Sequence, residues 1–267
     1  MPTKPLERRP GIRTNYDLLA AHYDDNSYRQ KEADPLLHRF LAERDLDAAQ
    51  LVALDMGCGT GNQLVANRQA WPQVHWFGLD LFAGMLRQGM TKTDAVSWVQ
   101  GDNALPPFRA ASFDYISNQF SFHHVRDKVG MVRGVYGLLR PNGRFSMTNI
   151  VPRQMPNWIV YQFFPEAYAI DLYDFLPLAA LVGLLERNGF VHVQVETEHL
   201  VRPHDLREFA TAVQQRHPYS QITTLAETDY QVGWQRVQSA LAEAGGRPVL
   251  LDSEVCLMSL TADKAGK

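Results

Sequence analysis

Eight residues constrain this chain more than any others: Leu54–Gly61, LDMGCGTG, at the end of an apolar run. Glycines at 57, 59 and 61 make a turn whose backbone is free to adopt positive φ and to approach a ligand closely. The run before it, Leu51–Met56, reads as a buried strand, and Asn62–Ala70 after it as a helix. Strand, glycine turn and helix together open a parallel α/β sheet. Two common uses of that unit do not fit. A phosphate-binding P-loop ends in Gly-Lys-Ser/Thr, whereas this loop continues Gly-Asn-Gln. A dinucleotide fingerprint spaces its glycines G-x-G-x-x-G, and here they fall on every second position.

The pattern then repeats. Apolar runs at 74–80, 96–102, 113–118 and 143–151 alternate with helical segments at 82–90 and 127–139, with the turn RPNG (140–143) before the fifth strand. That rhythm predicts βαβ units and a sheet covered on both faces. Amphipathic helices at 15–25 and 33–46 precede it. Residues 1–14 read as a flexible basic arm, and 15–267 as a single domain with cap insertions at about 152–178 and 202–246. In the first insertion aromatics crowd a stretch without strand character. Beyond it come a helix at 178–189, a strand at 190–196, a helix at 204–215 and another from Thr224. Thr224 and Glu227 have capping-box spacing. The last strand is 248–263.

Composition narrows the setting. A chain of 267 residues with 45% hydrophobic residues buries an ample core without staples. A net charge of −3 gives no electrostatic reason to expect nucleic acid or an anionic membrane as partner. Cys58 and Cys256 read as free thiols of a reducing compartment. The basic start lacks the apolar segment of a signal peptide. The run Phe175–Leu185 is too short to span a bilayer and contains Pro177. A cytoplasmic protein is expected.

Charge points to the ligand. No Lys or Arg occurs between Leu51 and Asn67, and Asp55 stands directly before the glycines. A carboxylate there repels a diphosphate and suits an ammonium. S-adenosyl-L-methionine carries an α-ammonium and a sulfonium, and so fits this loop where a nicotinamide dinucleotide does not. Asp80, followed by Leu81, ends the second strand and can accept from ribose hydroxyls. Asp102 and Asn103 follow the third strand, within reach of adenine's edge.

On NYDLLAAHYD, LDMGCGTG, GLDLFAGML, GDNALPPFRAASFD, SNQFSFHHVRD and LLRPNGRF, taken in order, the chain resembles the class I S-adenosylmethionine-dependent methyltransferases. It looks most like their small-molecule branch of ubiquinone and menaquinone type, over about residues 15–196. The resemblance implies a Rossmann-like α/β fold: seven strands in the order 3-2-1-4-5-7-6, the last antiparallel, with helical cap elements. It places the cofactor on Gly57, Gly59, Gly61, Asp80, Asp102 and Asn103, with Asn118 and Gln119 beside its methionine part.

The acceptor side is read from residues. His123 is a candidate base. His124 is a second catalytic candidate, with a structural role as the alternative, since a histidine at its position is common in similar sequences whose acceptors differ. Tyr23 is expected to close over the cofactor, and Tyr16 to pack. Trp158, Tyr161, Phe164 and Tyr168 read either as core or as the pocket of a small, partly apolar or aromatic acceptor. No metal ligand set is visible, since adjacent histidines do not chelate one ion as a helical i, i+4 pair does. The PPF run follows the third strand and not the fourth, which disfavours nucleic-acid amines as acceptors. The alternative is a non-catalytic S-adenosylmethionine-binding regulator on the same fold.

Overall fold

The computed structural model describes residues 14–25, 29–44, 46–216 and 218–266. Apart from Thr14, the basic arm expected at 1–14 lies outside them. Seven strands form one sheet: β1 (Val52–Met56), β2 (His75–Asp80), β3 (Val96–Gln100), β4 (Phe113–Gln119), β5 (Leu139–Ile150), β6 (Phe190–Asp205) and β7 (Leu250–Lys264). Their order is β3-β2-β1-β4-β5-β7-β6, and β7 runs antiparallel to both of its neighbours. The expected topology is observed.

Each parallel strand is followed by a return on a sheet face. Helices α1 (Tyr16–Leu19, continued as a 3-10 turn over Ala20–Asp25), α2 (Pro35–Arg44), α3 (Asn62–Ala70) and α4 (Ala83–Lys92) precede or interleave the first strands. Leu37, Phe40, Leu64 and Leu86 from α2 to α4 bury against Ala53, Trp76 and Tyr115 of the sheet. The larger core lies around α5 (Lys128–Leu138) and α8 (Leu178–Arg187), where Val132, Val135 and Leu185 meet Ile116, Phe145 and Leu260. The ladder between β4 and β5 jumps from Phe113↔Leu139 to Tyr115↔Arg144, so Arg140–Gly143 loops out where the turn was expected. Both cysteines are free and buried.

The cap departs from the sequence reading in extent. β5 pairs with β7 as far as Ile150↔Leu257, but β6 and β7 stay paired to Asp205↔Leu250. β6 thus continues nine residues past the expected end, as half of a ribbon projecting beyond the end of β5. Between its strands lie α9 (Leu206–Gln215), α10 (Ser220–Thr223) and α11 (Glu227–Ala244). They pack on α6 (Ile159–Phe163) and α7 (Pro165–Asp174). The capping box does not form: Thr224 Oγ1 bonds the carbonyl of Gln221, ending α10, and Ala226 caps α11 without a side-chain bond. Pro165–Arg187 is the one segment, among the described residues, apolar and long enough by composition to cross a membrane. It is bent between α7 and α8, each ten residues, so each half reaches only about 15 Å of a roughly 30 Å hydrocarbon core.

Candidate active site

The glycine turn is built by three residues in the left-handed region: Gly57 (φ 73°), Gly59 (φ 56°) and Gly61 (φ 74°). Their surroundings divide the labour. A Cβ on Gly57 would lie 2.1 Å from Ser121 Oγ, and one on Gly61 2.2 Å from the Trp98 ring; a Cβ on Gly59 would meet nothing closer than 3.8 Å. Gly57 and Gly61 therefore serve packing, and Gly59 faces the space where a ligand fits. The Tyr23 ring edge lies 3.9 Å from where a Cβ on Gly59 would stand.

Asp80 anchors the turn. Its Oδ2 accepts from Gly59 N–H at 2.8 Å and its Oδ1 from Phe82 N–H at 2.9 Å. Burial raises its pKa, opposed by these bonds. Leu81 beside it is exposed at the edge of the sheet. Asp102 Oδ1 closes its own turn on Ala104 N–H at 2.9 Å. Asn103 leans over the turn, its Nδ2 3.2 Å from the Gly57 Cβ position. Asn118 is fully buried and donates from Nδ2 to the Met56 carbonyl at 2.7 Å and to Ser121 Oγ at 2.5 Å. Gln119, half-buried, ends β4.

Asp55, expected at the edge of the loop, is 3% exposed and accepts from the Ser117 hydroxyl at 2.9 Å. Burial pushes its pKa up to about 7. Its place in a strand covered on both faces, paired with β2 and β4, turns the side chain inward. Further acceptors suited to a ligand's positive or N–H-bearing groups stand nearby: Asn118 Oδ1 and Asn103 Oδ1 are buried without a hydrogen-bond partner. Two orphaned acceptors beside the glycine turn fit S-adenosylmethionine, whose ammonium and adenine amine both donate.

Sequence reasoning missed Lys31. Its ammonium is half-buried, 4.6 Å from the Phe120 ring centroid just past β4, and coupled electrostatically to Asp55 and Asp34. No periodicity singled it out. The segment carrying it is pinned to the start of α3, where Asn62 Nδ2 bonds the Arg29 carbonyl at 3.0 Å and Gln63 Nε2 the Glu32 carbonyl at 2.8 Å. Asp24 extends the strap, accepting from Thr60 and Asn62 and pairing with Lys92 at 2.6 Å.

His123 and His124 sit on a short turn after β4. His124 Nε2 bonds the Tyr16 hydroxyl at 2.8 Å, so Tyr16 ties the first helix to this turn. His123 is buried, stacked on Phe175 at 4.2 Å. Burial, with His124 and Lys128 close by, holds its pKa well below the usual imidazole range. It lines a cavity of 110 Å³ walled by Phe122, Met147, Ile150, Leu181 and Met258, with Asn149 and Asp171 as polar members.

The expected aromatic pocket is not this cavity. Phe164 is fully buried, stacked with Tyr230 and packed where Gly233 leaves room for it. Tyr161 is 4% exposed, and its hydroxyl donates to Asp171 Oδ2 at 2.5 Å. Trp158 and Tyr168 pack against Tyr161 at centroid distances of 4.9 and 4.8 Å. None of these four rings lines the cavity, and Tyr161 bonds one residue that does, Asp171. Among the described residues no group of three metal-ligating side chains occurs.

Comparisons with known proteins agree with this geometry. A methyltransferase-domain family model matches residues 53–143. A demethylmenaquinone methyltransferase of Listeria monocytogenes is 26% identical over 166 residues, 53% of this chain and 70% of that one. A malonyl-[acyl-carrier protein] O-methyltransferase of Xylella fastidiosa is 28% identical over 137 residues, 49% of this chain and 45% of that one. Among solved structures, a protein of Anabaena variabilis described as a methyltransferase from an antibiotic biosynthesis pathway superposes with a TM-score of 0.65 at 18% identity, covering 87% and 99% of the two chains. Phosphoethanolamine N-methyltransferase 2 of Haemonchus contortus, solved with S-adenosylhomocysteine, gives 0.59 at 17% identity; this chain spans 57% of it. Strand order, glycine turn, orphaned acceptors and family match together make this chain a class I S-adenosylmethionine-dependent methyltransferase.

Proposed function

We propose that the acceptor is a small, partly apolar or aromatic molecule enclosed in the cavity beside His123. The observation that carries this reading is the cavity itself: apolar walls, a few polar groups and a position at the ends of β4 and β5. An engineered apolar cavity of about 150 Å³ admits benzene, so a space of 110 Å³ suits one small ring with slight give at the bend between α7 and α8. The quinone-type relatives favour the same class, at low identity.

When bound, S-adenosylmethionine supplies a methyl on a sulfonium, already activated for in-line displacement. The chain's own residues then have to position and enclose. Gly59, Asp80 and Asn103 would hold the nucleoside, Asn118 Oδ1 the ammonium, and Lys31 the carboxylate. Tyr23 and the strap exclude water. Incubation with methyl-labelled S-adenosylmethionine and a panel of single-ring phenols, enols, acids and amines tests the reading. Label in a small product supports it. Bound S-adenosylhomocysteine without transfer to any small acceptor would favour the regulatory alternative.

A further inference from the structure

His123 has a fixed tautomer, and Asn149 fixes it. The backbone N–H of Ile150 can only donate, and it bonds Asn149 Oδ1 at 3.0 Å. That bond orients the amide, so Asn149 turns Nδ2 toward His123 Nδ1, 3.4 Å away. An amide nitrogen offers protons and no lone pair. Nδ1 must therefore be the unprotonated nitrogen, and a neutral ring then carries its proton on Nε2. Among the described residues nothing accepts from that Nε2–H.

The other polar groups of the cavity are engaged. Gln154 Oε1 takes the Cys256 thiol, Arg153 bonds the Leu172 carbonyl, and Asp171 takes the Tyr161 hydroxyl. A histidine N–H on an apolar-walled cavity is thus an unspent donor. It is no general base, because its one lone pair already faces Asn149. Leaving such a donor unmet is unfavourable, and an acceptor that supplies a lone pair removes the penalty. An amine arriving as an ammonium would set N–H against N–H.

We propose that His123 donates a hydrogen bond from Nε2 to an oxygen of the acceptor (a phenol, enol or ring carbonyl) and that Asn149 is the positioning residue that holds the tautomer. The inference rests on the reading of this cavity as the acceptor site. It names the acceptor class as an oxygen-bearing ring and disfavours amines.

Long-range proton–nitrogen spectra of the S-adenosylhomocysteine-loaded protein, labelled with ¹⁵N-histidine, read the tautomer directly. The His123 signals, assigned by their loss in His123→Gln, are expected to show a bare Nδ1 and a protonated Nε2 between about pH 5 and 8. The groups facing the ring are His124 on its own turn, Lys128 at the start of α5, and Arg153 and Asp171 in the cavity lining. The pattern should persist in Asp171→Asn. An Nδ1–H ring, or titration to imidazolium in that range, overturns the proposal.

Calorimetry with cyclohexanone, whose oxygen can only accept, and its isostere methylenecyclohexane reads the donor. Cyclohexanone is expected to bind about tenfold tighter than the hydrocarbon, the equivalent of one hydrogen bond. His123→Phe should erase that preference, and His123→Gln, which can still donate, should retain part of it. Asn149→Asp supplies an acceptor in place of the amide N–H, so it should move the proton to Nδ1 and abolish the preference with S-adenosylhomocysteine affinity unchanged. A ketone preference that is absent, or that survives His123→Phe, refutes the assignment. Failure of S-adenosylhomocysteine to bind would instead indict the donor site, so the two failures are distinguishable.

Discussion

Replacing Asp80 with Ala tests the donor half most sharply, because the structure gives that side chain two jobs. Its two oxygens hold the N–H groups of Gly59 and Phe82 at 2.8 and 2.9 Å, and the residue is 8% exposed. Truncation strands two largely buried backbone donors that were meeting an ionised acceptor. Each such loss amounts to about 1–3 kcal/mol, so the variant should be destabilised by about 2–6 kcal/mol. For a chain of this size that lowers Tm by about 5–15 °C.

The second job is ligation. The remaining lone pairs of Asp80 would accept from the ribose hydroxyls, and their loss should weaken S-adenosylhomocysteine by a further 1.5–3 kcal/mol, roughly 10- to 100-fold. Differential scanning fluorimetry gives the first number, and calorimetric titration well below the variant's Tm gives the second. Asp80→Asn keeps one acceptor but sets an amide N–H against a backbone N–H, and should fall short of wild type in both. A folded Asp80→Ala protein with wild-type affinity would refute the ribose assignment. An unchanged Tm would show that the two backbone bonds carry no weight.

Lys31→Met should weaken S-adenosylhomocysteine about tenfold and leave 5′-methylthioadenosine, which lacks the carboxylate, unaffected; equal losses in titrations of both ligands would reassign Lys31 to holding the strap. Burial raises the Asp171 pKa from 3.8 to about 7, so the folded state binds that proton more tightly than the unfolded chain. Its contribution is complete below about pH 4 and lost as pH rises through 7, up to about 4 kcal/mol. Tm of the ligand-free protein should therefore fall more steeply between about pH 5 and 8 in wild type than in Asp171→Asn, with Asp55 adding a slope of the same sign in both; identical slopes would refute the argument. Phe164→Ala should remove about 3–5 kcal/mol of stability without changing S-adenosylhomocysteine affinity or acceptor selectivity. Gly233→Ala, whose Cβ would lie 2.1 Å from the Phe164 ring, should disturb the same contact from the other side, and an acceptor-specific effect in either variant would return Phe164 to the pocket.

The donor half was legible because its constraints are local. Alternating apolar runs and helices fix the parallel sheet, and only glycine sits comfortably at three positive-φ positions within five residues. Asp80 and Asn103 lie at strand ends, where the βα geometry alone sends them toward the ligand. The burial of Asp55 was not legible, for a reason internal to the same logic. A strand covered on both faces carries no alternation to say which way an acid points, so its burial against Ser117 had no signature. Lys31 lies between two helices, in a stretch whose path depends on side-chain bonds from Asn62 and Gln63, and no window of sequence reports those.

The cap was legible only as an interruption, because what organises it is distant. Phe164 is core by virtue of Gly233, and Tyr161 by virtue of Asp171 and the rings around it. Aromatic composition is the same whether rings line a pocket or stand behind one. Those contacts also separate the two covers of the site by chemistry. Tyr16 on His124, Asp24 on Thr60 and Thr14 on Thr223 are part-buried polar bonds made by the amino-terminal segment, which exchange with water at a net cost of only about 1 kcal/mol each. The acceptor cavity is closed by α7 and α8 through Phe175 and Leu181, whose exposure to water has no such compensation. Exchange of the nucleoside therefore runs against the weaker cover, and the shape of the acceptor cavity is kept by the stronger one.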